Sequence, residues 1–182
     1  MSQRIRTDLG FAVSNGILFL GGALGNDLLK ARGMPVGASL VSKAIAPTVL
    51  AAHERLIAPV DIAVLEESTN VGRSTWTADV RAGESIVDIG PNTAALWAVE
   101  ISKAPFVLWN GPLGKYEDGF VEGTDAVAEA LSKGNARALI GGGDTMAALS
   151  KSTFDPKHIF ISTGGGAMLE YLTNGTLPGL EA

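Results

Sequence analysis

Cysteine is absent from the 182 residues. That excludes disulfides, thiolate metal centres and a cysteine nucleophile, and it leaves a cytoplasmic protein as the expectation. Histidine is scarce too: His53 and His158 are the only two, which makes zinc a poor fit without thiolates. Positive charge is in deficit, with 14 lysines and arginines against 19 aspartates and glutamates and a net charge of -5. Such a balance offers no footprint for nucleic acid or an anionic membrane, so any phosphate must be held by local geometry. Long apolar runs are also missing. Ile17-Leu18-Phe19-Leu20, preceded by Arg4 and Arg6, faintly imitates a secretory leader, but Asp8, Ser14 and Asn15 interrupt it. The run is far too short to span a bilayer and reads as a buried strand.

What remains is a chain that is 46% hydrophobic and 18% charged, enough for one substantial core. No Pro/Ser-rich linker or charge block divides it, so a single domain over residues 1–182 is expected. Glycine is abundant at 23 residues, and it is clustered. Three times after residue 105 a short apolar run meets a glycine-rich turn and then a segment with helical spacing. Phe106 to Trp109 leads into Asn110-Gly111-Pro112-Leu113-Gly114, followed by helical spacing around Val127, Ala130 and Leu131. Ala138 to Ile140 leads into Gly141-Gly142-Gly143 and a helix from Asp144 to Lys151. Ile159 to Ile161 leads into Ser162-Thr163-Gly164-Gly165-Gly166 and a helix from Ala167 to Leu172. Runs this short that end at breakers are strands.

Strands alternating with helices predict an α/β fold, a three-layer doubly wound (Rossmann-like) domain with a mainly parallel sheet. Earlier in the chain Ile17 to Leu20 predicts a strand and about Leu24 to Arg32 a helix stopped by Gly33. Ser42 to Ile57 predicts a longer helix, with Pro47 in its first turns, and Val60 to Leu65 a buried strand. The stretch from Glu66 to Gly83 is less regular. Thr75 to Val80 is expected as a strand of a small excursion, and Ser85 to Ile89 runs to a turn at Gly90-Pro91.

In an open parallel sheet, ligands sit beyond the carboxyl ends of the strands, where loops meet helix N-termini. The glycine clusters fall at those positions, where a bare backbone can approach a phosphate closely. One helix terminus contributes only about 0.3–2 kcal/mol toward an anion, so a polyphosphate needs several converging donors or a metal. Asp144 follows the first triplet as a helix cap or as a Mg²⁺ partner. Neither triplet fits a P-loop, and no G-x-G-x-x-G follows a strand, which disfavours those two folds. Glu66 and Glu67 are adjacent on an extended segment and point to opposite faces, so a solvated pair is expected. His53, expected on a helix face, and His158, just before a strand, have no Ser/Asp constellation around them.

Leu108-Trp109-Asn110-Gly111-Pro112-Leu113-Gly114-Lys115-Tyr116-Glu117 resembles the W-N-G-P-M-G-x-F-E signature of phosphoglycerate kinases. Ile140-Gly141-Gly142-Gly143-Asp144-Thr145 is similar to that family's V-G-G-G-D-[ST], and Ile161 to Ala167 to its I-S-T-G-G-G-A. Asp88-Ile89-Gly90-Pro91 and Leu177-Pro178-Gly179 match in the expected order. The resemblance runs from about Ile17 through nearly the whole chain, and it implies the ATP/ADP-binding half of an enzyme that moves phosphate between 1,3-bisphosphoglycerate and ADP. It implies that Gly21 and Gly22 flank the adenine, that Asn110 and Pro112 lie along the nucleotide, and that Glu117 accepts from ribose hydroxyls. It further implies that Asp144 holds the Mg²⁺ with Gly142, Gly143 and Thr145 near the phosphates. Gly164, Gly165 and Gly166 would open the helix facing the transferring phosphoryl group, and Ser162 and Thr163 resemble hinge residues.

The departures bear on activity. Family members run to roughly double this length and begin with a phosphoglycerate-binding domain, so a fragment or truncated homologue is expected. A strand and loop like G-G-A-K-V-S-D-K, with its phosphate-binding lysines, has no counterpart before Ile5. Leu20-Gly21-Gly22-Ala23 stands in place of Gly-Gly-Gly-Met, and Asn92 where lysine or glutamate is common. Phosphoryl transfer depends on positive charge at the equatorial oxygens, and Lys115 and Arg73 do not obviously replace the lost cations. Nucleotide binding without appreciable turnover is therefore expected, with a separate N-terminal half or self-association as the partner. A non-catalytic nucleotide-binding or interaction protein derived from the same fold is the alternative.

Overall fold

Short apolar runs punctuated by glycine become strands because their side chains pack on a sheet while the turn residues release the chain. In a computed structural model, which describes residues 16–42 and 52–181, that grammar yields a mixed α/β fold. β1 (Leu18–Phe19) leads into α1 (Gly22–Ala31) and pairs in parallel with β2 (Leu56–Ile57). β6 (Phe106–Asn110), β7 (Arg137–Gly141) and β8 (Ile159–Ser162) form a second parallel sheet in that order. α3 (Glu122–Lys133) follows β6, α4 (Gly143–Ala148) follows β7 and α5 (Gly165–Asn174) follows β8. The three predicted strand–glycine–helix units are therefore present, in order.

Between the two parallel sheets the chain makes an antiparallel one. β3 (Asp61–Glu66) lies between β4 (Val71–Trp76) and β5 (Glu84–Ile89). The buried strand expected at Val60 to Leu65 is thus the centre of this sheet. The excursion strand lies at Val71–Trp76 rather than Thr75 to Val80, and Thr77–Asp79 form a 3-10 turn. The hairpin loop explains the offset: Asn70 takes φ 56 and its amide bonds the Glu66 carbonyl at 2.8 Å, so pairing resumes at Val71.

The helix expected from Ser42 to Ile57 falls mostly outside the described residues, but its end is corrected. Leu56 and Ile57 are strand, and His53 sits in the preceding turn, where its Nδ1 accepts the Arg55 amide at 3.3 Å. Tertiary pairing with β1 overrides helical spacing there, through Leu18 N to Arg55 O and Leu20 N to Ile57 O.

α2 (Pro91–Lys103) is a 13-residue helix where the sequence suggested only a turn. Pro91 occupies its first position, where a missing N–H costs nothing. The cap comes from β3: the Asp61 carboxylate accepts from the Asn92 amide at 3.0 Å, its side chain at 2.8 Å, the Thr93 amide at 2.7 Å and the Thr93 hydroxyl at 2.6 Å. α2 and α3 cover one face of the β6–β7–β8 sheet. Trp97, Ile101, Val127 and Leu131 from the helices meet Trp109, Ala138, Ile140 and Ile159 from the strands in the main core. Phe19 of β1 joins that core through a ring contact with Trp97, centroids 5.0 Å apart.

Candidate functional site

β6, β7 and β8 run in parallel and in register, Asn110 opposite Gly141 and Gly141 opposite Ser162. Their carboxyl ends therefore finish on one rim, and the glycine turns leave from it side by side. The Gly142 amide bonds the Ser162 carbonyl at 3.0 Å. Gly142 takes φ 105, which favours glycine. Gly165 is packed so closely that a Cβ there would overlap Asn110 Oδ1 and come within 2.6 Å of Gly142 Cα and N. Asn110, Gly142 and Gly165 thus form one junction. Gly143, Gly164 and Gly166 line its outer side, and a Cβ on Gly143 or Gly166 would meet open space.

Thr145 locks the junction from below. It is fully buried, its hydroxyl donating to the Gly141 carbonyl at 2.8 Å and accepting the Gly111 amide at 2.7 Å. Its side chain holds the β6 and β7 turns together, so any contact it makes with a ligand comes from its backbone. The rest of the 111–121 loop is pinned by Trp109 Nε1 to Gly111 O at 2.8 Å, Leu113 N to Thr124 Oγ1 at 3.0 Å and Lys115 N to Val87 O at 2.8 Å. Along that loop Pro112 and Leu113 meet the β1–α1 turn. A Cβ on Gly21 would stand 2.7 Å from Leu113 Cδ2, and one on Gly22 would stand 3.7 Å from the Pro112 carbonyl.

Asp144 is exposed at the start of α4, and the Tyr116 hydroxyl donates to its Oδ1 at 3.4 Å. Desolvation, then the charges of Glu117 and Asp144, push the Tyr116 phenol above its ordinary value. The two carboxylates therefore flank one phenol at the edge of the same rim. No group of three or more histidine, aspartate or glutamate side chains is arranged to hold a metal ion among the described residues. Mg²⁺ fits this edge all the same, because it commonly takes one or two carboxylates and completes its shell with phosphate and water oxygens.

Every expected site residue therefore falls on one connected rim, from Gly21 and Gly22 through Pro112, Asn110 and Gly142 to Gly164 and Gly166. Sequence reasoning missed the residues that hold it. Asp88, only 3% exposed, accepts the Gly123 amide at 2.9 Å and its own neighbour's amide, Ile89, at 2.8 Å. That ties the start of α3 to β5. Burial, partly offset by those two amides, pushes the Asp88 carboxyl up to about 6. The Asp88-Ile89-Gly90-Pro91 motif was the available signal. Arg73 is remote from the rim in bonding terms: its Nε and Nη2 donate to the two Glu84 oxygens at 2.6 and 2.8 Å. Glu67 accepts from the Ser85 hydroxyl at 2.8 Å and Glu66 from Ser68 at 3.3 Å, so these acids serve the antiparallel sheet. A cleft of about 840 Å³ lies between that sheet and α2 and α3, with alanines such as Ala63, Ala94, Ala98 and Ala126 among its lining residues. It contains none of the rim residues, is open to solvent, and is also lined by Arg73, Asp88, Glu122, Glu129 and Lys133.

The family model for phosphoglycerate kinase matches residues 11–175. The phosphoglycerate kinase of Clostridium novyi is 41% identical over 175 residues, covering 91% of this chain and 44% of that protein. The phosphoglycerate kinase of Coxiella burnetii is 37% identical over 174 residues, covering 90% and 44%. A solved structure of phosphoglycerate kinase from Coxiella burnetii superposes with a TM-score of 0.85 at 35% identity, over 99% of this chain and 48% of that one. The phosphoglycerate kinase of Pyrococcus horikoshii shares the fold, with a TM-score of 0.82 at 24% identity. The chain thus spans under half the length of these curated relatives.

Proposed function

The chain belongs to the phosphoglycerate kinase family, and we propose that its glycine-lined rim binds the magnesium complex of ADP or ATP. The observation that carries this reading is the Asn110–Gly142–Gly165 junction, which brings three strand–glycine–helix turns into contact beside Asp144. Gly21 and Gly22 flank the base, Asn110 and Pro112 lie along the nucleotide, and Glu117 accepts from the ribose hydroxyls. Backbone amides of Gly143 and Thr145 face the phosphates, Gly142 lets the chain approach them closely, and Asp144 holds the Mg²⁺. Gly164, Gly165 and Gly166 open a ten-residue helix whose first amides face the group to be transferred. Mg²⁺, when bound, neutralises negative charge on the phosphate oxygens.

The reaction of this chain's complete counterpart is transfer of phosphate between ATP and 3-phosphoglycerate. The 182 residues alone bind nucleotide without appreciable turnover, because the remaining half of the relatives' length is needed to hold the acceptor and supply cations. Isothermal titration with MgADP tests the binding half: a saturable heat with Kd below about 1 mM is expected. Asp144→Ala should weaken MgADP about tenfold and leave metal-free ADP unchanged. A folded sample that gives no saturable heat, or an Asp144→Ala variant that binds MgADP as the parent does, counts against the assignment. A coupled assay with a phosphoglycerate-binding half added in trans tests the transfer.

A further inference from the structure

The opposite end of the β6–β7–β8 sheet carries a second surface. Phe106 pairs with Arg137, and Leu139 with Leu108 on one side and Phe160 on the other. Alternation along a strand puts these side chains on one face, while Ala138, Ile140 and Ile159 point into the core from the other. Parallel sheets are ordinarily covered on both faces. Here Phe106, at the amino end of β6, is 54% exposed, and Phe160, two residues before Ser162 in β8, is 68% exposed. The two rings border a groove of about 390 Å³ that also contains Arg137, Leu139, Lys157 and His158.

Charge distinguishes this groove from an ordinary apolar patch. Arg73, Lys103 and Lys133 are each ion-paired, with Glu84, Glu100 and Glu129. Arg137, Lys157 and His158 have no side-chain partner among the described residues. The neighbouring acid, Asp155, uses its Oδ1 to accept the Lys157 amide at 2.9 Å. Two cations without an ion pair, Arg137 and Lys157, therefore sit beside two exposed rings, with the Asp155 carboxylate as the neighbouring negative charge. Rings pack against apolar anchors, and free guanidinium and ammonium groups donate to carboxylates.

From this juxtaposition we infer that the Phe106–Arg137–Phe160 groove docks a short acidic peptide segment bearing apolar anchors. A nucleic acid fits less well, since its binding needs a basic track along several phosphates and the acidic chain repels a polyanion. Arg137, Lys157 and His158 lie toward the amino ends of the strands and no rim residue lines the groove, so both can be occupied at once.

Fluorescence anisotropy of the full chain with a labelled decapeptide of glutamates and two leucines tests the inference. Saturable binding that weakens with salt is expected. Phe160→Ser and Arg137→Ser, both at exposed positions, should each raise Kd at least about fivefold while MgADP binding stays unchanged. Four outcomes would overturn it: no saturation by the peptide, equal binding of a glutamine-for-glutamate peptide, tighter binding of labelled decathymidylate, or indifference to both substitutions.

Discussion

Thr145 and Gly111 are bound across two strand ends: the Thr145 hydroxyl accepts the Gly111 amide at 2.7 Å while donating to the Gly141 carbonyl at 2.8 Å. One buried hydroxyl thereby fixes the spacing of the β6 and β7 turns, on which the nucleotide rim depends.

Thr145→Val keeps the shape and removes both bonds, leaving a donor and an acceptor without a partner. Urea unfolding should show a loss of about 2 kcal/mol, and nucleotide affinity should fall with it. Thr145→Ser keeps the hydroxyl and should cost about 1 kcal/mol, the worth of the lost methyl. A valine variant as stable as the parent would show that the bridge contributes nothing.

Gly165 and Gly166 are neighbours with opposite tolerances. Alanine at Gly165 forces its Cβ onto Asn110 and the Gly142 backbone, and thermal unfolding should fall by on the order of 5 °C with loss of nucleotide binding. Alanine at Gly166 enters open space and should leave stability unchanged or raise it by up to about 1 kcal/mol. Equal tolerance at the two positions would contradict the close approach described here.

Asp61 and Asp88 should respond to pH in opposite directions. Burial raises the Asp61 carboxyl, but hydrogen bonds from Thr93 and Asn92 outweigh it and hold the group below its ordinary 3.8. Its contribution is therefore present above pH 3.8 and lost as pH falls through the lower folded value. Asp88, pushed up to about 6, contributes fully below pH 3.8, and that contribution is lost as pH rises through about 6. The gap corresponds to on the order of 3 kcal/mol. Side-chain carboxyl titration by NMR should place the Asp88 midpoint near pH 6. Stability compared with Asp88→Asn should decline between pH 4 and 6, and a midpoint near 4 would remove the effect.

The strand–glycine–helix units were legible because their signals are local: a short apolar run, a breaker, then apolar groups at helical intervals. Their motifs also identified the family before any fold was described. The helix at Pro91 was not legible, since its cap is a carboxylate on Asp61, some thirty residues earlier and delivered only once β3 is in place. The strand Leu56–Ile57 was hidden in the same way, its helical spacing overruled by pairing with β1. Apolar content alone marked Phe106 and Phe160 as strand residues, but their exposure depended on where the helices came to rest, α2 and α3 on the other face and Met168 of α5 against Gly141 at the carboxyl end of this one. Periodicity and turn chemistry act between neighbours in the chain and can be read in a line of letters. Caps, pairing partners and exposed faces are contacts between distant residues, and they exist only after the chain has closed on itself.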